Sequence, residues 1–243
     1  MLLLDAHVHL PAYQDAGLVI GSAEMGAIRL VSVTESLEEA AKAEALRSEN
    51  RSLVRSFVGV HPSEAKKCPK IDASASLWGR ADGVGEIGLD PKYSEVTPDG
   101  AQMSVFRAQL GVAERLGKPV QVHSRDAEGA CLDELKSHRL KVLFHWLQSE
   151  QFLGPVVSAG YFVSYGPAIL YSKKTMRMAL ATPRDRVLTE SDGPVGFGPL
   201  GGAEGPGLIP SVVFKLAELW RQGFDETARQ ISSNGEDFLG WKA

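Results

Sequence analysis

The chain is poor in cysteine, with only Cys68 and Cys131, 63 positions apart, among 243 residues. Two thiols at that spacing exclude a disulfide framework and a zinc-finger module, and they fit reduced thiols in a cytosolic setting. No apolar run approaches the roughly 20 residues that span a bilayer. The first residues carry no basic stretch, no long apolar core and no small-residue cleavage site, so no signal peptide is expected. Excess positive charge is absent as well, the formal net charge being -4. Such a chain does not coat long nucleic acid by charge alone, although bound metal ions can still dominate a local field. No internal repeat, low-complexity tract or composition break divides the sequence. The expectation is a soluble, cytoplasmic protein with no membrane contact.

What is present is an ordinary globular balance, 44% hydrophobic and 23% charged. Short apolar or β-branched runs recur at 2–9, 28–34, 56–60, 83–88, 119–123, 140–145, 161–164 and 186–192. Each is too short for a helix and reads as a strand. Helical patterns fall at 36–50, 74–78, 98–116, 126–137, 172–181, 210–221 and 225–239. Ser36 and Glu39 form a capping box for the first of these. Phe106, Leu110, Ala113 and Leu116 make one stripe on the third, with Gly117 as its stop. Eight strands mostly separated by helices predict a parallel sheet, because parallel neighbours need a crossover. In about 250 residues that pattern is the size of an α/β fold of the (β/α)8 TIM barrel class, here as a single domain over 1–243.

Side chains with metal-ligand chemistry gather at the strand ends. Two residues apart on a strand, His7 and His9 point the same way and can chelate one divalent ion. His61 ends the third strand, Glu86 the fourth, His123 the fifth, His145 the sixth and Asp192 the eighth. Only His138, of the 6 histidines, lies elsewhere. Singly, each has an ordinary reading: a hydrogen-bonded core imidazole for the histidines, a helix cap for Glu86 and Asp192. Jointly they point to one rim, because barrel sites form at the C-terminal strand ends. Six ligands, His7, His9, Glu86, His123, His145 and Asp192, exceed what one catalytic zinc uses. They suit two divalent metal ions sharing a carboxylate, with Zn, Mn, Fe and Mg all compatible. The segment 196–201 matches G-x-G-x-x-G, but Pro199 and Pro206 interrupt any helix there, so 193–210 reads as a loop over the barrel mouth rather than a dinucleotide site.

With these residues in view, the chain resembles the TatD family of metal-dependent hydrolases, within the amidohydrolase-like barrels. The resemblance runs nearly end to end. It rests on Asp5-Ala6-His7-Val8-His9-Leu10, Gly59-Val60-His61-Pro62 and Gly85-Glu86-Ile87-Gly88-Leu89-Asp90. It continues through Gln121-Val122-His123-Ser124-Arg125-Asp126-Ala127, Phe144-His145 and Thr189-Glu190-Ser191-Asp192-Gly193-Pro194. The resemblance implies that His7, His9, Glu86 and Asp192 hold one metal while Glu86, His123 and His145 hold a second. It also implies phosphodiester hydrolysis, with DNA exonuclease activity the usual assignment. Departures are Pro11 where the family has an acid, Trp146-Leu147-Gln148-Ser149 after His145, and Gly193 where alanine is frequent.

The expected chemistry is attack by a metal-activated water, with Asp192 as general base and the metals neutralising the phosphate. His61 is expected to contact the phosphate or protonate the leaving oxygen, and Arg125 to make a phosphate contact unless it pairs with Asp126 or Glu128. Asp5 and Glu190 are candidates for orienting the ligands beside them. The expected partner is a nucleic-acid end or small phosphodiester, with a monomer as the default. One alternative is an amidohydrolase-type enzyme acting on a small cyclic amide, lactone or ester. Many such sites bridge their metals with a carboxylated lysine, and the nearest lysine to Glu86 is Lys92. A metal-binding barrel without nuclease activity is the other alternative.

Overall fold

A computed structural model describes residues 2–68, 70–94, 99–195 and 205–240. Eight strands pair in chain order, every pair parallel: β1 (Leu3–Val8), β2 (Ile28–Ser32), β3 (Val54–Val58), β4 (Gly83–Gly88), β5 (Val120–His123), β6 (Val142–Phe144), β7 (Phe162–Tyr165) and β8 (Val187–Thr189). The ring is drawn together at its exit end. The Asp192 N–H donates to the His7 carbonyl at 2.9 Å and the His9 N–H to the Gly193 carbonyl at 2.8 Å. This is the expected (β/α)8 barrel. Nearly every strand residue is buried, as a sheet covered on both faces requires.

Helices follow the strands around the outside: α1 (Ala16–Met25), α2 (Ala40–Glu49), α3 (Ser76–Arg80), α4 (Gly100–Leu116), α5 (Glu128–Leu135), α6 (Glu150–Ser158), α7 (Lys173–Ala181), α8 (Ile209–Trp220) and α9 (Phe224–Leu239). Two of them, α1 and α6, lie where the sequence shows no helical pattern. Gly17 and Gly21 dilute α1, and Gly154-Pro155 interrupt α6. Those residues disfavour a helix locally, and packing against the barrel overrides them. Asp15 starts α1 by accepting from the Leu18 N–H at 2.9 Å.

Other details shift. The box before α2 closes one residue early, Glu39 accepting from the Glu35 N–H at 2.8 Å rather than from Ser36. On α4, Phe106, Leu110 and Ala113 are buried as the stripe predicts, but Leu116 is 38% exposed and Val105 and Val112 are buried instead. Gly117 stops α4 in the left-handed conformation, φ 62°. Pro98, the expected first residue of that helix, lies outside the described residues, as does 196–204 of the expected mouth loop. Among the described residues no helix is long and apolar enough to cross a membrane.

Candidate metal centre

His7, Glu86 and His123 sit on β1, β4 and β5, whereas His9, His61, His145 and Asp192 lie one to three residues beyond strands β1, β3, β6 and β8. The close backbone at this end of the barrel dictates glycine at two places. A Cβ on Gly59 would stand 2.6 Å from the Glu86 carbonyl, and one on Gly88, whose φ is +147°, would stand 1.9 Å from the His123 carbonyl. Thr34 ties the strand exits together. Its hydroxyl bonds both the N–H and the carbonyl of Gly59 at 3.0 Å, and its carbonyl accepts from the Glu86 N–H at 3.1 Å. Asp192 and Trp146 adopt left-handed backbone, φ 54° and 40°, a strain of about 1–3 kcal/mol each that the packed surroundings sustain.

The side chains converge. His7 Nε2 and His9 Nε2 are 3.3 Å apart, and Asp192 Oδ1 stands 3.4 and 3.2 Å from them. Glu86 Oε2 is 3.5 Å from both. For donors bound tetrahedrally at about 2.0–2.1 Å, the separation between donors is about 3.3–3.4 Å by trigonometry. These five edges match it, so the four residues fit one metal ion. Glu86 turns its other oxygen elsewhere. Oε1 lies 2.7 Å from His123 Nδ1 and 2.8 Å from His145 Nε2, and those two nitrogens are 3.4 Å apart. One carboxylate therefore serves two donor groups, the arrangement a paired-metal site needs.

Two of the imidazoles, His7 and His123, are hydrogen-bonded from behind, which fixes ring and tautomer. His7 Nδ1 donates to Gln121 Oε1 at 2.6 Å, and the Gln121 amide donates to the Ala6 carbonyl at 2.8 Å. His123 Nε2 meets Asp90 Oδ2 at 2.7 Å, and His145 Nδ1 faces Glu190 Oε2 at 3.5 Å. The His7 and His145 rings stack with centroids 3.9 Å apart. Glu190 also accepts from the Ser164 hydroxyl at 2.7 Å and the Trp146 N–H at 3.0 Å, so it supports the His145 side rather than Asp192. Asp5 acts on backbone instead of a ring, accepting from the N–H groups of Ser191 at 2.9 Å and His7 at 3.3 Å. Burial pushes its carboxyl up to about 7.

Charge balances within the cluster. Burial opposes the imidazolium of His7, but hydrogen bonds to Asp192 and Glu86 outweigh it and raise the ring well above its ordinary range. His145 stands at about 9, against burial and the repulsion of His7, because Glu86 and Glu190 face it. Burial would raise the Asp192 and Glu86 carboxyls, yet the surrounding imidazoles hold both well below the usual range. The imidazoles thus favour the ionised carboxylates, as cations in the same place would.

His61 reaches the same cluster, its Nε2 3.7 Å from Glu86 Oε1 and its ring edge-on to His123. Ser63 holds its Nδ1 at 2.8 Å, and burial pushes the imidazole down to about 4. Arg125 pairs with neither Asp126 nor Glu128. Its Nη2 donates to Asp90 Oδ2 at 2.6 Å, and the guanidinium lies over the Tyr93 ring at 5.3 Å. His138 lies apart, paired with Glu114 at 2.9 Å. Gln121 and Asp90 are the residues that sequence reasoning passed over. Both stand inside quoted motifs, but no spacing rule joins His7 to a glutamine 114 positions away.

The model of a family described as TatD related DNase matches residues 4–240. A Mycobacterium tuberculosis protein named as an uncharacterized metal-dependent hydrolase TatD is 30% identical over 264 residues, covering 98% of this chain and 99% of its own. Human deoxyribonuclease TATDN3 is 29% identical over 214 residues, covering 79% of this chain and 78% of its own. Among solved structures, a TatD family hydrolase from Entamoeba histolytica superposes with a TM-score of 0.84 at 15% identity, over 98% of both chains. That likeness concerns the fold.

Proposed function

The chain belongs to the TatD-related DNase family of metal-dependent hydrolases, and from that membership we propose that it cuts phosphodiester bonds at a nucleic-acid end as a deoxyribonuclease using two divalent metal ions. The observation that carries this reading is Glu86, whose two carboxylate oxygens face two separate groups of ligand atoms. His7, His9, Glu86 and Asp192 would hold one ion, and Glu86, His123 and His145 the other. Zinc, manganese, iron and magnesium all suit nitrogen and carboxylate donors, and metal analysis names the ion. Such ions acidify water and offset the charge of a phosphate diester.

The chain's own groups then have distinct tasks. Asp192, kept ionised by His7 and His9, accepts the proton of the attacking water. Glu86 holds the two donor groups in register. His61 is neutral at pH 7 because burial depresses it, so it serves as a hydrogen-bonding contact to the phosphate and not as the proton donor. Arg125 is held at the rim on Asp90 and stands ready for a phosphate oxygen. With a net charge of -4, the chain takes a strand end or short fragment in preference to long duplex, and it does so as a monomer.

Metal analysis of the purified protein, followed by product mapping on end-labelled single-stranded DNA, tests the reading. We expect about two metals per chain and shortening from one end. Asp192→Asn should cost about 10²–10⁴-fold in kcat, and His7→Ala should lose bound metal. Hydrolysis of lactones or cyclic amides with every diester left intact would overturn it.

A further inference from the structure

A cavity of about 540 Å³ opens at the N-terminal ends of α5, α6 and α7. The volume is in the range of sites that take small organic ligands. Its walls include Asp126, Glu128, Gln148, Ser149, Phe152 and Lys174. None of these holds a metal or enters the chemistry above. All lie on the C-terminal face of the barrel, where ligands bind in this fold. The chain ties the cavity closely to the centre: Asp126 follows His123 by three residues and Gln148 follows His145 by three. Three residues span at most about 11 Å, the reach of a nucleoside from its own phosphate.

The lining is unsuited to phosphate. Asp126 and Glu128 are both carboxylates, against the single ammonium of Lys174. Glu128 is only 6% exposed, and burial raises its carboxyl above the ordinary range although it accepts from its own backbone N–H and faces the Lys174 charge. A desolvated carboxylate has lone pairs to spare beyond one backbone bond, and a ligand that donates N–H groups to it offsets the cost of burial. Donors are present as well. The helix α5 begins after Ala127, which has no capping side chain, and Ser149 before α6 makes no side-chain cap bond, so beyond the Glu128 N–H that its own carboxylate takes, no cap competes for the first-turn N–H groups. Gln148 offers both polarities. Phe152 packs over Gly129, where an added Cβ would stand 3.1 Å from the ring, and gives the cavity an aromatic wall.

A carboxylate acceptor, peptide N–H donors, an amide and an aromatic wall together describe a nucleobase pocket. We propose that this cavity receives the base flanking the scissile bond and selects bases that carry an exocyclic amino group, cytosine above all, over thymine. Glu128 accepts from the amino group, while Gln148 and the helix N–H groups meet the base carbonyl. The proposal rests on the nuclease reading for its substrate, but not for its test.

Two measurements decide it. Binding of free deoxycytidine and thymidine to the metal-loaded protein, followed by NMR titration, needs no chemistry. Deoxycytidine should bind about tenfold more tightly, in line with the discrimination of one good carboxylate–amino contact. Glu128→Gln, or Gln148→Ala should the first variant fail to fold, should bring the two within about twofold. In parallel, kcat/KM is compared on oligonucleotides that differ only in the terminal base, and the same ratio should appear and collapse. Equal binding of the two nucleosides, no binding of either, or a preference that survives both variants overturns the proposal. Preferential deoxycytidine binding in a protein that cleaves no diester would uphold the pocket and overturn the nuclease reading.

Discussion

At the residue scale the centre depends on acceptors that are not ligands. Asp90 shows this most sharply. Its Oδ2 is shared by His123 Nε2 and Arg125 Nη2 at 2.7 and 2.6 Å, and its Oδ1 accepts from the Lys92 N–H at 2.9 Å. Gln102 then clips the Asp90 backbone on both sides, at 2.9 Å each. His123 therefore presents Nδ1 to Glu86 because Asp90 claims its other nitrogen. Asp90→Asn keeps the size but replaces one of two carboxylate oxygens with a donor. We expect metal affinity at the His123–His145 side to fall about 10–100-fold, so that gel-filtered protein retains about one metal in place of two. Retention of two would remove Asp90 from the positioning role. The convergence of these side chains was legible in the sequence, because alternation along a strand puts His7 and His9 together and the barrel rule brings the other strand ends to them. Their supports were not, because a side-chain bond between β1 and β5 has no local pattern. The position of Arg125 was missed for the same reason: its partner is 35 residues away on another strand exit, not beside it in the chain.

At the element scale, what could be read was the order and the type of the strands. Short β-branched runs have few other uses, and each of the eight appears, though β2 and β8 end before Thr34 and Asp192. The helices were harder wherever breakers interrupt them, as Gly154-Pro155 do in α6. Those residues show which contacts are structural. Gly154 has open space where a Cβ would go, whereas Gly88 has the His123 carbonyl at 1.9 Å. Gly88→Ala must therefore pull β4 from β5, where Gly88 and His123 are paired. We expect a loss of about 3 kcal/mol or more in urea unfolding, with weakened metal retention because His123 moves with its carbonyl. Gly154→Ala should gain about 0.5–1 kcal/mol through helix propensity and a less flexible unfolded chain. Equal effects of the two substitutions would mean that the β4–β5 approach does not constrain the site.

At the scale of the whole molecule, the six proposed ligands come from the ends of β1, β4, β5, β6 and β8, so metal held by them would cross-link most of the barrel ring. Folding alone brings the full set together, so metal binding adds to folding free energy. At a free metal concentration a thousandfold above Kd, one site adds about 4 kcal/mol, or about 8–16 °C in Tm for a chain of this size. Chelation should return the midpoint to that of the metal-free protein, and His7→Ala should remove most of the metal-dependent shift. Acid opposes the effect. His7, His123 and His145 all sit above their ordinary range, His145 at about 9, because buried carboxylates face them. Below those values a proton must leave before an imidazole can bind a cation, so apparent affinity falls as pH falls. The metal-induced rise in Tm, measured at fixed total metal, should therefore be larger at pH 8.5 than at pH 6. A shift independent of pH, or one that His7→Ala leaves intact, would place the stabilising cation away from the histidine cluster.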